Sequence, residues 1–450
     1  MTAITPRPMS GFPELLPEQQ IVFNRSLQII RETFEAFGFA PIETPSVERK
    51  EVLTSKGGEE KEIYAISRMQ SQPGEVGETE FALHFDLTVP FARYVAQHKD
   101  KLTFPFRRYQ IQKVWRGERA QKGRYREFYQ CDIDVIGRGS VSLFNDSEIP
   151  SIIYKIFDRM DIGAFVIRIN NRRLLQGFFE AQGVAHGQIA DVLRAVDRLD
   201  KTSRDTVFAD LTKNLGLSEM QASAIMAMTA QSLPTDELLT QLSNGASCGN
   251  ATYDQGLAEL KTVVAGMRSL GVPEANFVID PSVARGLGYY TGTVYETRLI
   301  DHADLGSICS GGRYEDLASF FTSEKLPGVG ISIGLSRLMF ALLERGVLPT
   351  GAQTVAPVLV TSMDPARMDY YLQTAAQLRS NGVGTEVFFD KKGLGDQLKY
   401  ASRKGFKLAL IAGEDEFSTN SFKIKDMRTS TERTCLASDI TETVRQLLAE

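Results

Sequence analysis

Phe106–Gly137 reads FRRYQIQKVWRGERAQKGRYREFYQCDIDVIG. Arg107, Arg108, Lys113, Arg116, Arg119, Lys122, Arg124 and Arg126 crowd into it against one early acid, Glu118. Phe128–Val135 then alternates, setting Gln130 and Asp134 on one side among Tyr129, Cys131, Ile133 and Val135. The pattern predicts two strands joined by a basic turn at Arg119–Gly123, with Gly123 free to take a positive φ. Guanidinium groups held on paired strands suit an anionic ligand, because the planar fork bonds phosphate or carboxylate with two parallel hydrogen bonds. Most basic runs are solvated charged faces. A solvated hairpin, however, does not need Gln130 and Asp134 interleaved with a buried-type strand.

Working outward, 450 residues suggest about three domains. Hydrophobic content of 42% and charged content of 24% are ordinary for globular protein. A net charge of −5 excludes a surface that binds nucleic acid by overall charge, so any such contact must come from local basic patches. Cys131, Cys248, Cys309 and Cys435 are scattered with no CxxC pair, and His84, His98, His186 and His302 have no ligand spacing. That disfavours disulfides and a zinc site and fits a reducing cytosol. No apolar run approaches the roughly 20 residues of a membrane span, and the prolines of MTAITPRPMSGFPELLP break any signal-peptide core.

Pro17–Phe37 has helical spacing and is followed by Gly38 and a short strand ending near Pro45. In Phe81–Tyr94 (FALHFDLTVPFARY), alternation over Ala82–Leu87 predicts a strand and Pro90 opens a helix. Asp86 and Thr88 fall at that strand end, as a cap or as side chains pointing into a cleft. From about Arg172 to Leu270 helical periods replace strand-like runs, with Ser243–Asn250 as the clearest loop, which reads as a helical insertion between strands at Gly163–Asn170 and Phe277–Asp280. Asp280–Glu296 and Cys309–Leu317 are rich in Gly, Tyr and Arg; alone, RGLGYY is either a packed glycine turn or a close backbone approach beside a cation. Gly328, Gly330 and Gly334 would let backbone approach a flat ring. Arg345–Ala356 is turn-rich and marks a boundary. Beyond it, Pro357–Thr361, Pro365–Asn381, Thr385–Phe389, Leu394–Gly405 and Leu408–Ile411 alternate β-α-β-α-β, predicting an α/β domain with a largely parallel sheet. Lys391, Lys392, Lys399, Arg403, Lys404 and Lys407 lie there, on composition a solvated helix face.

The hairpin, with Arg116, Glu118, a loop and then KGRYREFYQ, resembles motif 2 of the class II aminoacyl-tRNA synthetases in the form found in the histidyl-tRNA synthetases. RGLGYY (Arg285–Tyr290) is similar to their histidine-specific motif, with Gly288 where Asp is more common. SGGRYEDL (Ser310–Leu317) resembles a second such motif, DLTVPFARY (Asp86–Tyr94) a third shared stretch, and GLSRL (Gly334–Leu338) motif 3. The resemblance runs from Met9 to about Glu450. It implies an α+β class II synthetase catalytic domain, an antiparallel sheet with helices, in residues 1–171 and 271–346, a helical insertion in 172–270, and a C-terminal α/β anticodon-binding domain in 352–450. It further implies a cytoplasmic homodimer, not attached to a membrane, that uses L-histidine, ATP with Mg²⁺, and tRNA(His), with no resident metal. Arg116 and Arg285 would be catalytic. Asp86, Thr88, Arg116, Gln130, Asp134, Arg285, Tyr289, Tyr290 and Tyr314 would hold histidine: Asp86, Thr88 and Gln130 its ammonium, the two arginines its carboxylate, Asp134 with Tyr289 or Tyr290 its ring nitrogens. Arg116, Glu118, Arg124 and Arg337 would hold ATP, and Arg119, Gln121 and Lys122 the tRNA acceptor end. A histidine-sensing regulatory subunit of ATP phosphoribosyltransferase shares that catalytic fold. The retained Arg116, Arg285 and Arg337 and a C-terminal segment of single-domain length favour the synthetase.

Overall fold

A computed structural model describes residues 4–55, 62–67, 80–119, 123–200, 202–245, 249–284 and 290–450. The chain divides into a unit of Met1–Pro13 and Gln28–Val347 and a second of Glu14–Leu27 and Leu348–Glu450.

Helix α1 (Pro17–Ala36) stops where Gly38 takes φ +76°, and strand β1 (Ala40–Pro41) follows. A small sheet comes next: β2 (Val47–Arg49), helix α2 (Lys50–Leu53), β3 (Ala65–Ile66) and β4 (Phe81–Leu83). Strand β4 is shorter than alternation predicts because Asp86 turns the chain into helix α3 (Thr88–His98), its Oδ1 accepting from the Val89 amide at 3.1 Å. The basic stretch folds as the expected hairpin. Strands β5 (Phe106–Trp115) and β6 (Glu127–Ile136) pair antiparallel over their whole length, and Gly123 in the turn has φ +75°.

Helix α4 (Phe144–Met160) and strand β7 (Phe165–Asn171) lead into helices α5 (Arg172–Ala181), α6 (Ile189–Asp197), α7 (Arg204–Ala209), α8 (Glu219–Met228), α9 (Thr235–Gly245) and α10 (Ala251–Ser269). Side-chain caps start several of them: Ser218 and Gln221 form a reciprocal capping box at α8, and Asn250 accepts from the Tyr253 amide at α10. Helices α5 and α10 cross through a mutual glycine notch. A Cβ on Gly177 would stand 2.2 Å from the Tyr253 amide nitrogen, and one on Gly256 2.3 Å from that of Leu174. Strands β8 (Phe277–Ile279), β9 (Tyr290–Leu299), β10 (Cys309–Tyr314) and β11 (Gly328–Ile333) complete the large sheet, and helix α11 (Leu335–Glu344) ends the unit. The sheet runs β1-β5-β6-β11-β10-β9-β7-β8. Its ladders are antiparallel except for the parallel outer pairs β1/β5 and β7/β8. Against β6 and β10, α3 buries Phe91, Ala92 and Val95 with Ile136, Leu317 and Leu326, and each of these side chains larger than Ala contributes roughly 1.5–3 kcal/mol of transfer free energy.

In the second unit, β12 (Val358–Val360), helix α12 (Met368–Ser380), β13 (Thr385–Val387), helix α13 (Leu394–Lys404) and β14 (Leu408–Ile411) follow the predicted alternation. A short helix α14 (Glu414–Ser418), strands β15 (Ser421–Asp426) and β16 (Glu432–Leu436) and helix α15 (Ile440–Ala449) extend it. The sheet is mixed, which corrects the largely parallel expectation: β13, β12 and β14 are parallel, and β15 and β16 add antiparallel to β14. Val358, Val360, Leu408, Leu410, Tyr371, Leu378, Phe422, Ile424 and Val444 form its core. Among the described residues no helix is long and apolar enough to cross a membrane.

Candidate active site

Four of the hairpin's eight cations are tied into ion pairs within the protein. Arg107 pairs with Glu148 at 2.6 Å, Arg108 with Asp134 at 2.5 Å, Lys113 with Glu127 at 2.7 Å and Arg124 with Glu118 at 3.1 Å. Three of those four acids lie on the hairpin itself, and Glu148 comes from α4. Arg116 is placed differently. Its Nε donates to the Phe85 carbonyl at 3.1 Å, and its guanidinium carbon stands 5.0 Å from the Phe128 ring centroid. Neither contact neutralises it.

Two cavities meet at Arg116. The smaller, about 420 Å³, is lined by Glu118, Arg124, Phe128 and Arg337. The larger, about 1200 Å³, is lined by Asp86, Thr88 and Tyr290, and by Arg172 and Gln176 from α5 and Leu193 from α6. Arg116, Gln130, Ser310 and Ser332 line both. Alternation explains Gln130: it shares a face of β6 with Phe128, both line the cleft, and register sets Asp132 opposite Ser332 on β11. Gln130 Nε2 donates to Ser332 Oγ at 2.7 Å, and its buried Oε1 has no protein partner among the described residues.

Arg337 leaves the first turn of α11, donates to the Leu305 carbonyl, and lies between two glycine turns, its side chain 3.8 Å from where a Cβ of Gly123 or Gly306 would be. Both have positive φ, so conformation rather than space demands glycine there. The glycines of β11 have a different use from the expected approach to a flat ring. A Cβ on Gly330 would sit 2.1 Å from Asp134 Oδ1, and one on Gly328 2.5 Å from the Tyr314 hydroxyl. These two glycines make room for a buried pair, in which the Tyr314 hydroxyl donates to Asp134 Oδ1 at 2.9 Å. Burial, then Asp134, raises the Tyr314 phenol well above its ordinary value. Asp134 and Tyr314 therefore stand behind the cavity wall, next to Tyr290, which pairs with Tyr314 in the sheet. The neighbouring Arg313 is structural: its guanidinium grips the fully buried Asp146 at 2.9 and 2.6 Å and the carbonyls of Val141 and Ser142.

Of the residues expected from sequence, Asp86, Thr88, Arg116, Gln130 and Tyr290 converge on the larger cavity and Arg116, Glu118, Arg124 and Arg337 on the smaller. Arg119 is exposed at the turn. Arg285, Tyr289, Gln121 and Lys122 lie outside the described residues. Sequence reasoning missed Phe128, Ser310, Ser332, Arg172 and the buried Asp132. The alternation that selected Gln130 and Asp134 also selects Asp132, whereas Ser332 reaches the site only through strand pairing. Among the described residues no cluster of three or more His, Cys, Asp or Glu could hold a metal ion.

The sequence matches the family model "Histidyl-tRNA synthetase" over residues 11–338 and the model "Anticodon binding domain" over 354–447. A histidine–tRNA ligase of Xanthomonas campestris pv. campestris is 47% identical over 441 residues, covering 94% of this chain and 92% of that protein. The crystal structure of histidyl-tRNA synthetase from Nostoc sp. PCC 7120 superposes with a TM-score of 0.91 at 41% identity, covering 99% of this chain and 100% of that one. An ATP phosphoribosyltransferase regulatory subunit/histidyl-tRNA synthetase from Bacillus halodurans has a TM-score of 0.71 at 20% identity, covering 89% of this chain and 97% of that one, which shows a shared fold. The fold is that of a class II aminoacyl-tRNA synthetase. The chain belongs to the histidyl-tRNA synthetase family.

Proposed function

We propose that this chain is a histidine–tRNA ligase that condenses L-histidine with ATP to histidyl-adenylate and pyrophosphate, then transfers the histidyl group to the 3′-terminal ribose of tRNA(His). The observation that carries the reading is the meeting of two cavities at an arginine that, among the described residues, stands outside the hairpin's ion pairs. Joining a carboxylate to an α-phosphate needs two anions brought together, and each cavity offers groups for one of them. In the smaller, Phe128 and Arg337 supply flat faces for a purine, and Arg116 and Arg124 supply charge for phosphates, with Glu118 beside them. In the larger, Asp86, Thr88 and Gln130 hold the ammonium, and Tyr290, backed by the Asp134–Tyr314 pair, holds the imidazole.

The chemistry is in-line displacement. A carboxylate oxygen of histidine attacks the α-phosphorus, a new P–O bond forms, and the bond to the bridging oxygen of pyrophosphate breaks. Arg116 and Arg285 offset the charge that gathers there, so catalysis is positioning plus electrostatic stabilisation. Mg²⁺ would arrive with the nucleotide. Such an ion needs only one or two protein carboxylates beside its phosphate and water ligands, and Glu62 and Glu118 in the smaller cavity fit that requirement; the ion would supply further neutralisation of phosphate charge. Arg119, Gln121 and Lys122 would meet the acceptor end of the tRNA. We assign residues 1–171 and 271–346 to the catalytic domain, 172–270 to the insertion and 352–450 to anticodon binding, in a cytoplasmic homodimer.

The test is amino-acid-dependent ATP–pyrophosphate exchange run across the twenty amino acids. Exchange is expected with histidine only, since a site that hydrogen-bonds a polar ring rejects analogues lacking it by about 10⁴–10⁵. Exchange with a different amino acid would overturn the specificity. Histidine binding without any exchange would instead support the regulatory-subunit reading.

A further inference from the structure

Helix α11 grips one short turn from both of its ends. The turn, Ala303–Leu305, lies between β9 and β10 and closes on itself, the Leu305 amide donating to the His302 carbonyl and the Gly306 amide to the Ala303 carbonyl, both at 3.0 Å. From the first turn of α11, Arg337 donates to the Leu305 carbonyl. From the residue that caps the other end of the helix, Arg345 holds Asp304 with two prongs, Nη1 to Oδ1 at 3.0 Å and Nη2 to Oδ2. The same Nη1 stands 3.0 Å from His302 Nδ1. A guanidinium only donates, so that ring nitrogen accepts. Directly after the turn, Ser307, Ile308, Cys309 and Ser310 line the smaller cavity, as Arg337 does. One turn thus carries both the acceptor that aims Arg337 and the carboxylate that Arg345 clamps.

We propose that Arg345 and Asp304 are positioning residues for the nucleotide: they hold the Leu305 carbonyl where it orients the Arg337 guanidinium across the base subsite. The assignment rests on the nucleotide reading of the smaller cavity. A long side chain loses rotamer freedom when it is held against a ring, and an acceptor fixed in advance removes part of that cost. A carbonyl is fixed only if its turn is fixed. The Leu305 side chain, 9% exposed, anchors the turn from within, and the two-pronged pair at Asp304 sets the direction of the neighbouring peptide. The fork matters here, because a single ammonium contact leaves the carboxylate free to swing. The Asp304 side chain is 68% exposed, and ion pairs in such positions add little to folding stability. The effect of the clamp therefore belongs in nucleotide affinity rather than in the unfolding midpoint.

ATP–pyrophosphate exchange at saturating histidine reads the effect. Arg345→Ala and Asp304→Asn should each raise the KM for ATP about three- to tenfold, the size of one oriented contact between a guanidinium and a ring. The KM for histidine should stay within about twofold of wild type, since only the nucleotide's subsite is disturbed. Arg345→Lys should recover little of the loss, and the urea midpoint should stay close to wild type. The deciding comparison is made in the Arg337→Ala background. There Arg345→Ala should raise the KM for ATP no further, because its effect runs through Arg337. An equal rise in both backgrounds would make the clamp merely structural, and so would an unchanged KM for ATP in Arg345→Ala alone. Should Arg345→Ala fail to fold, Asp304→Asn, which keeps the shape of the side chain, carries the same comparison. A wild-type protein that neither binds ATP nor exchanges it would bring down the nucleotide reading, and this assignment with it.

Discussion

Arg116 shows how little the number of cations in a stretch says about which one is free to act. Four of its neighbours on the hairpin are tied into ion pairs, while Arg116 is held by a carbonyl and a ring, contacts that orient a guanidinium without neutralising it. Arg116→Ala should slow single-turnover formation of histidyl-adenylate by about 10²–10³ while leaving histidinol affinity nearly unchanged. Arg116→Lys should recover little, since an ammonium cannot make the paired bonds of the fork. An alanine variant with normal adenylate formation would reduce Arg116 to a packing residue. At this scale the sequence was legible where one strand carries the information: alternation alone picks Gln130 and Asp134. It was not legible where partners come from afar. Arg108 reaches Asp134 from the paired strand, and Ser332 reaches Gln130 from about two hundred residues away, so nothing local showed that Asp134 is occupied and that Asp132 Oδ1 has no partner among the described residues.

Among elements, the β5–β6 hairpin, α1 and the first five elements of the second unit followed their periodicity, whereas β4 ended early because the Asp86 cap overrode strand alternation. Strands β15 and β16 went unseen. β16 is mostly exposed and has no apolar alternation to read, reading ERTCL, and it exists because β15 offers it an edge. The insertion's helices were legible by composition, but their packing was not. Gly177 and Gly256 look like helix weakeners in sequence, and the fold uses them to let α5 and α10 touch backbone to backbone. Gly256→Ala would gain up to about 1 kcal/mol of helix propensity. The overlap with Leu174 should outweigh that gain, for a net loss of about 1–3 kcal/mol, read as a lower midpoint in urea unfolding. An unchanged or raised midpoint would mean that the crossing relaxes without cost. Because α5 also lines the larger cavity through Arg172 and Gln176, the same variant should weaken histidine binding more than ATP binding.

For the whole molecule, the two units divide the labour of the proposed reaction. On that reading activation would need the cavities of the first unit, and the second would add grip on the tRNA. Lys391, Lys392 and Arg403 are exposed at and around α13, whereas Lys399 pairs with Asp396 and Lys404 with Glu386. Replacing Lys391, Lys392 and Arg403 together by Ala should leave ATP–pyrophosphate exchange unchanged and lower charging at limiting tRNA. The log–log salt dependence of tRNA binding should flatten by about 0.9 for each phosphate that no longer meets a cation. Unchanged charging with an unchanged salt slope would make this a solvated helix face, the reading its composition suggests by itself. The open junction of the two cavities matters beyond catalysis. With Arg116, Gln130, Ser310 and Ser332 common to both, one rigid compound could occupy them together, and joining two weak fragments without strain gains about 10²–10⁴ in affinity. Resistance to such an inhibitor would be hard to evolve, because a mutation at any of the four shared positions would also strike the enzyme's own substrates.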